Sequence, residues 1–262
     1  MEDAWVARKV RLRLPDGRDM AYVDTGGPGR PWLLIHGYSD TSRSFQPLLP
    51  HLEGIRLVMP DLPGHGGSDG TPAADLDGLA RDMAAFCRVH GLSPALVAGH
   101  SLGSLVTLSL GLGRYLPPFR AVLIAATARP GAEGLSPLGA IRSFRDPLAA
   151  DDAFFDAWYR NPLPVDPGFI RHLKREAARM PAAVWKRYLA IIEAADLRSA
   201  LPGLSLPALA ISGSRDPLFP PAHGKQLAAL APGLRLEILE GHGHNPHWED
   251  PARIASLLRA FA

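Results

Sequence analysis

Apolar and polar positions along this chain change rhythm several times, and each change marks an element. Val10 to Leu14 alternates basic and apolar residues, Pro15-Asp16-Gly17 supplies turn chemistry, and Arg18 to Asp24 returns as a second strand. Trp32 to Ile35 and Ile55 to Met59 are short apolar runs, the pattern of strands buried on both faces. Between them, Ser39 to Leu52 has helix-like spacing. Leu76, Leu79, Met83, Phe86 and Val89 recur every three or four residues and predict an amphipathic helix from Asp75 to His90. Leu96 to Ala98 is another buried run, and Leu105, Val106, Leu108, Leu110 and Leu112 predict a helix covered on most of its surface. Ala121 to Ala126 follows as a strand. Such alternation is that of a mainly parallel sheet with helices on its faces.

The rhythm breaks at Arg129-Pro130-Gly131. From there to about Pro202 only helical patterns appear, at Ala150 to Tyr159, Gly168 to Met180 and Ala182 to Ala195, with prolines between them. Aromatic residues concentrate in this interval, among them Phe154, Trp158, Tyr159 and Trp185. Leu206 to Gly213 and Leu234 to Leu239 restore buried strands, and Pro251 to Phe261 predicts a closing amphipathic helix.

Composition narrows the classes. With 262 residues, 47% of them hydrophobic, the chain can build one large core carrying an insertion. Its formal charge of +2 is spread along the sequence without a basic block, so nucleic acid is not an expected partner. No apolar stretch reaches the ~20 residues of a membrane span, and the opening Met1-Glu2-Asp3 lacks a secretory pattern, so a cytoplasmic location is expected. Cys87, the single cysteine, sits in a helix pattern as a small buried hydrophobe. His242, His244 and His247 lie close in sequence, but no cysteine or carboxylate cluster completes a recognisable ligand set; no metal or cofactor is expected. A monomer or homodimer is the expected state.

The chemistry centres on Gly99-His100-Ser101-Leu102-Gly103, where a strand pattern passes directly into a helix pattern. A serine hydroxyl is a weak nucleophile and needs exposure, rigid placement and a base. Glycines on either side let strand and helix approach closely while the serine projects from a strained turn, and the helix N-terminus favours negative charge beside it.

On these residues the chain resembles the α/β-hydrolase superfamily over nearly its whole length. The resemblance implies a mostly parallel eight-stranded sheet flanked by helices, with a helical cap inserted after strand 6. Residues 1–128 and 203–262 would then form the hydrolase body and 129–202 the cap. It also implies that the amides of Tyr38 and Leu102 form an oxyanion hole, each donor worth about 3 to 4 kcal/mol in the transition state. Asp61-Leu62-Pro63-Gly64-His65-Gly66-Gly67-Ser68 resembles a family loop whose His65 would shape the rim of the site. Asp216 stands where the family has its triad acid. The closing family pattern places Glu five and Pro seven residues after the histidine base, which only His244 satisfies, through Glu249 and Pro251. His242 and His247 are left with rim or packing roles. The chain order Ser101, Asp216, His244 is that of the family.

The implied activity is hydrolysis of a small apolar carboxylic ester through an acyl-enzyme, with His36, Gly37, His100, Trp158, Trp185 and Phe219 as expected substrate contacts. Serine at the turn argues against the superfamily's dehalogenases and epoxide hydrolases, which attack through aspartate. Carbon-carbon bond hydrolysis, lactone opening or perhydrolysis would use the same triad, and a ligand receptor would use the fold without it. Pro130-Gly131 and Leu201-Pro202-Gly203 are the expected hinges of the cap.

Overall fold

The computed structural model describes residues 3–70, 72–130 and 136–262. Residues 1, 2, 71 and 131–135 lie outside that description, and with them Gly131 of the first expected hinge. Eight strands form one sheet: β1 (Val10–Arg13), β2 (Asp19–Asp24), β3 (Trp32–Ile35), β4 (Leu57–Pro60), β5 (Leu96–His100), β6 (Arg120–Ile124), β7 (Ala208–Gly213) and β8 (Arg235–Leu239). Their spatial order is β1-β2-β4-β3-β5-β6-β7-β8, and β2 alone runs against its neighbours. β5 lies between β3 and β6, with Ile35 opposite Gly99 and His100 opposite Ile124. This register brings the ends of β3 and β5 together.

Alternate residues of the parallel strands bury on opposite faces. Leu33, Ile35, Val97 and Leu123 pack with α1 (Leu76–His90) and α2 (Leu102–Leu112). Trp32, Leu34, Ala98 and Ile211 pack with Phe45, Leu48 and the final helix, Pro251–Phe261. The first helix follows its sequence signals: the Asp75 side chain caps its start at Gly78 N, and Gly91 at φ 73° ends it. Cys87 lies inside this packing, and burial pushes its thiol up to about 12.

Ser39 to Leu52 differs from expectation. Ser42–His51 is a 3-10 helix, because Pro47 and Pro50 cannot donate the hydrogen bonds of an α-helix interior. The chain also forms α6 (Pro221–Leu230), which the apolar pattern does not reveal. Only Gly224 and Leu227 of that helix are buried.

Between β6 and β7 the described residues carry a 3-10 turn at Ser136–Ser143 and the helices α3 (Ala153–Trp158), α4 (Pro167–Arg179) and α5 (Ala182–Ala194). The insertion is tied to the sheet domain by buried polar contacts. Tyr188 Oη donates to the Pro63 carbonyl at 2.9 Å, and Tyr38 Oη donates to the Trp185 carbonyl at 2.6 Å. At α4, the buried Arg43 guanidinium meets Glu176 at 2.7 Å and Asp3 at 2.6 Å. Burial alone would raise the Asp3 carboxyl, but Arg43 draws it down to about 2. Among the described residues, no helix is long and apolar enough to cross a membrane.

Candidate active site

Ser101 sits between β5 and α2 with φ 51° and ψ −114°, a backbone conformation that costs a non-glycine residue about 1–3 kcal/mol. The neighbours make that turn possible. A Cβ on Gly99 would lie 2.0 Å from the Gly103 carbonyl oxygen, and one on Gly103 would lie 2.0 Å from the Ile35 carbonyl oxygen. The Ser101 amide is held by the Ile124 carbonyl at 2.8 Å, so the turn is fixed to β6. The first amides of α2 have no partner one turn back in the helix, and Leu102 N–H is one of them.

His244 Nε2 lies 3.0 Å from Ser101 Oγ, and His244 Nδ1 lies 2.8 Å from Asp216 Oδ2. The second Asp216 oxygen accepts the amides of Leu218 at 2.8 Å and Phe219 at 2.9 Å. An ionised carboxylate only accepts, so Nδ1 carries the imidazole proton and Nε2 is free to accept from the serine. Burial alone would raise the Asp216 carboxyl. Its pairing with His244 and the two amides outweigh that, and hold it below the usual carboxylate range.

The loop bearing His244 is fixed from three sides. Glu249 accepts the Gly243 amide at 2.8 Å, and His100 Nε2 donates to the His244 carbonyl at 2.9 Å. A Cβ on Gly243 would lie 2.5 Å from Pro162 of the insertion. The interval from His244 to Glu249 therefore has a physical meaning, since the glutamate closes the loop that presents the imidazole.

A cavity of about 550 Å³ opens over Ser101 and His244. Leu138, Phe154, Trp158 and Ile192 of the insertion line it together with Tyr38, Leu218 and Phe219. Such a cavity, mostly apolar with a few convergent polar groups, suits a small organic ligand. Trp158, Phe219 and His100 line it. Tyr38 also lines it and packs edge-on against Trp185; burial raises its hydroxyl well above the ordinary range, keeping it a donor. Leu102 is buried at the start of α2.

Three of the expected substrate contacts do not line the cavity. His36 is fully buried, with Nδ1 bonded to the Gly37 carbonyl at 2.8 Å and Nε2 accepting the Leu62 amide at 2.9 Å. Gly37 acts through its backbone: a Cβ there would lie 3.3 Å from Ser101 Cβ. Trp185 is fully buried, donates to the Ala177 carbonyl and packs against Phe144 and Phe154. Its ring joins helices α3, α4 and α5.

His65 is not on the rim either. It is buried between His36 and Tyr188, and burial lowers its pKa well below the ordinary value. Asp61 organises its loop instead, accepting the Ser42 and Gly67 amides at 2.8 Å and pairing with Lys9 at 2.7 Å. His247 is buried against Ser44, and His242 turns toward the Glu240 carbonyl, so the nearby histidines do not converge on one point. Asp40, Asn161 and Asn245 line the cavity without having been singled out in the sequence. Their signal is only their nearness to Tyr38, Tyr159 and His244.

A model of the α/β hydrolase family matches residues 32–257. The chain is 31% identical to the pimeloyl-[acyl-carrier protein] methyl ester esterase of Stenotrophomonas maltophilia strain K279a, covering 92% of this chain and 95% of that one. Among solved structures, it resembles a hydrolase from Pseudomonas aeruginosa PA01 with TM-score 0.84 at 23% identity, covering 99% of both chains. The esterase RhEst1 from Rhodococcus sp. ECU1013 matches with TM-score 0.78 at 26% identity, covering 97% of this chain and 98% of that one. The chain belongs to the α/β hydrolase family.

Proposed function

We propose that the protein is a serine hydrolase that cleaves carboxylic esters through an acyl-enzyme. The observation that carries this reading is the hydrogen-bonded line from Ser101 through His244 to Asp216 at the floor of an apolar cavity. His244 Nε2 takes the hydroxyl proton as Ser101 Oγ bonds to the ester carbonyl carbon, and Asp216 stabilises the imidazolium. The amides of Tyr38 and Leu102 bind the oxyanion. When the C–O bond breaks, the imidazolium gives its proton to the departing alkoxide and leaves an acyl-serine. Water then attacks the acyl carbon by the same route, releasing the acid and restoring Ser101.

In this reading residues 129–202 are a cap over a body made of 1–128 and 203–262, with Phe154, Trp158, Leu138 and Ile192 receiving an apolar part of the substrate. Names among the relatives point the same way, since the 31% identical relative is called a methyl ester esterase. The test is a p-nitrophenyl ester series from acetate to long acyl chains, with wild type and Ser101→Ala side by side. Turnover in wild type that disappears in the variant is expected, with a chain-length optimum set by the cavity. Folded wild-type protein that turns over no ester and takes no label from a fluorophosphonate would favour a receptor instead.

A further inference from the structure

Five residues that line the cavity are also exposed, and they mark where it opens: Ala157, Arg160, Pro162, Arg215 and Pro217. The rest of the lining is buried or half-buried. Alanine and proline side chains carry neither charge nor donor, so the polar side chains at the opening are two arginines. The whole chain is nearly balanced, with 28 basic and 26 acidic residues, which makes this pair of cations a local feature. Asp40 is the one carboxylate among the described residues of the lining. Its side chain is 3% exposed and accepts Ser44 Oγ at 3.1 Å, so it stands inside the cavity and not at the opening.

The two arginines come from different parts of the chain. Arg160 follows α3 in the insertion, and Arg215 follows β7 in the sheet domain. A fixed seam brings their backbones together. Arg215 N–H donates to the His242 carbonyl at 2.8 Å, a Cβ on Gly243 would lie 2.5 Å from Pro162, and Asn245 donates to Asn161 at 2.9 Å. Among the described residues neither guanidinium has an ion pair or a side-chain hydrogen bond. Other cations of the insertion are committed, Lys174 to Asp156 and Arg142 to Glu193. A guanidinium offers a planar fork of donors that matches a carboxylate or a phosphate. At the mouth of an apolar cavity its field is focused by the walls.

We propose that Arg160 and Arg215 form a subsite for an anionic group, a carboxylate or a phosphate, at the far end of an ester substrate whose apolar part fills the cavity. The ester carbonyl then sits at Ser101, the intervening chain lies along Leu138, Phe154 and Trp158, and the anion meets one arginine from the insertion and one from the sheet domain. An ammonium group in the same place faces two like charges, so the opening also selects against cationic esters. The proposal rests on the ester-hydrolase reading and adds to it the class of ester.

The experiment compares kcat/KM for ethyl butyrate, monoethyl succinate, ethyl octanoate, monoethyl suberate, ethyl 8-aminooctanoate and ethyl 8-(phosphonooxy)octanoate, in wild type and the double variant Arg160→Glu, Arg215→Glu. At low salt at least one long anionic ester should exceed ethyl octanoate by about fivefold, the upper range for an exposed ion pair, and the gain should shrink in about 1 M salt. The amino ester should fall below ethyl octanoate. Monoethyl succinate should gain less over ethyl butyrate, because its charge lies beside Ser101 and short of the opening. The double variant should reverse the order of monoethyl suberate and the amino ester. A better half-ester identifies a carboxylate as the preferred anion, and a better phosphate ester identifies a phosphate. Hydrolysis of ethyl octanoate with no gain from either anion, or an equal gain at both chain lengths, overturns the subsite and leaves the ester reading standing; hydrolysis of none of the six overturns both. The wild-type ranking decides the matter even where the variant does not fold.

Discussion

Asp216–His244 and Asp40–His100 join the same residue types in one cavity, with ring centres of the two histidines 5.1 Å apart. In the first pair the carboxylate takes the Nδ1 proton at 2.8 Å, and Nε2 is left to face Ser101. In the second, Nε2 is held by a backbone carbonyl, and Nδ1 faces its carboxylate at 3.6 Å, beyond hydrogen-bond distance. Which ring nitrogen the surroundings bind decides which one faces the carboxylate. Residue identity alone does not.

The largest test of this difference is Asp216→Asn. The amide offers a donor where the imidazole proton needs an acceptor, so the tautomer is no longer held, and kcat should fall by about 10³–10⁴-fold. A loss smaller than tenfold would show that the carboxylate does not orient His244. His100→Phe acts on the other pair, removing the donor to the His244 carbonyl while keeping a flat ring. We expect a fall in kcat of about tenfold, the order of one hydrogen bond, with ethyl butyrate KM little changed. An unaltered kcat in folded protein would separate His100 from the placement of the His244 loop.

The smallest effect is a slope. Asp216 is held below the usual carboxylate range, so it stays ionised as pH falls into that range. The acid limb of log kcat/KM for ethyl butyrate should therefore rise with slope one; slope two would mean that both members of the pair titrate together. The sign for stability is fixed by the same shift. A carboxyl lowered on folding stabilises the protein above its unfolded value, and that contribution is lost as pH drops through the folded one.

Much of the sheet was legible because β3, β5, β6 and β7 bury both faces and so read as unbroken apolar runs. His244 could be picked from its neighbours because Glu249 holds the Gly243 amide, a contact tied to a fixed interval in the chain. Other features have no such local trace. The face that α5 turns to the cavity depends on how the insertion packs, and so Trp185, aromatic and central, is found between helices. The ring of His100, beside Asp40, is oriented by a carbonyl 144 residues away. α6 buries too little of itself to leave an amphipathic pattern.

The backbone of Ser101, at φ 51°, has a consequence for selection. Glycine would occupy that turn with less strain than any residue bearing a hydroxyl, so the position sets heat resistance against turnover. A library screened only for survival at high temperature would enrich inert proteins at this codon. Screens for a sturdier enzyme need to score product as well as solubility.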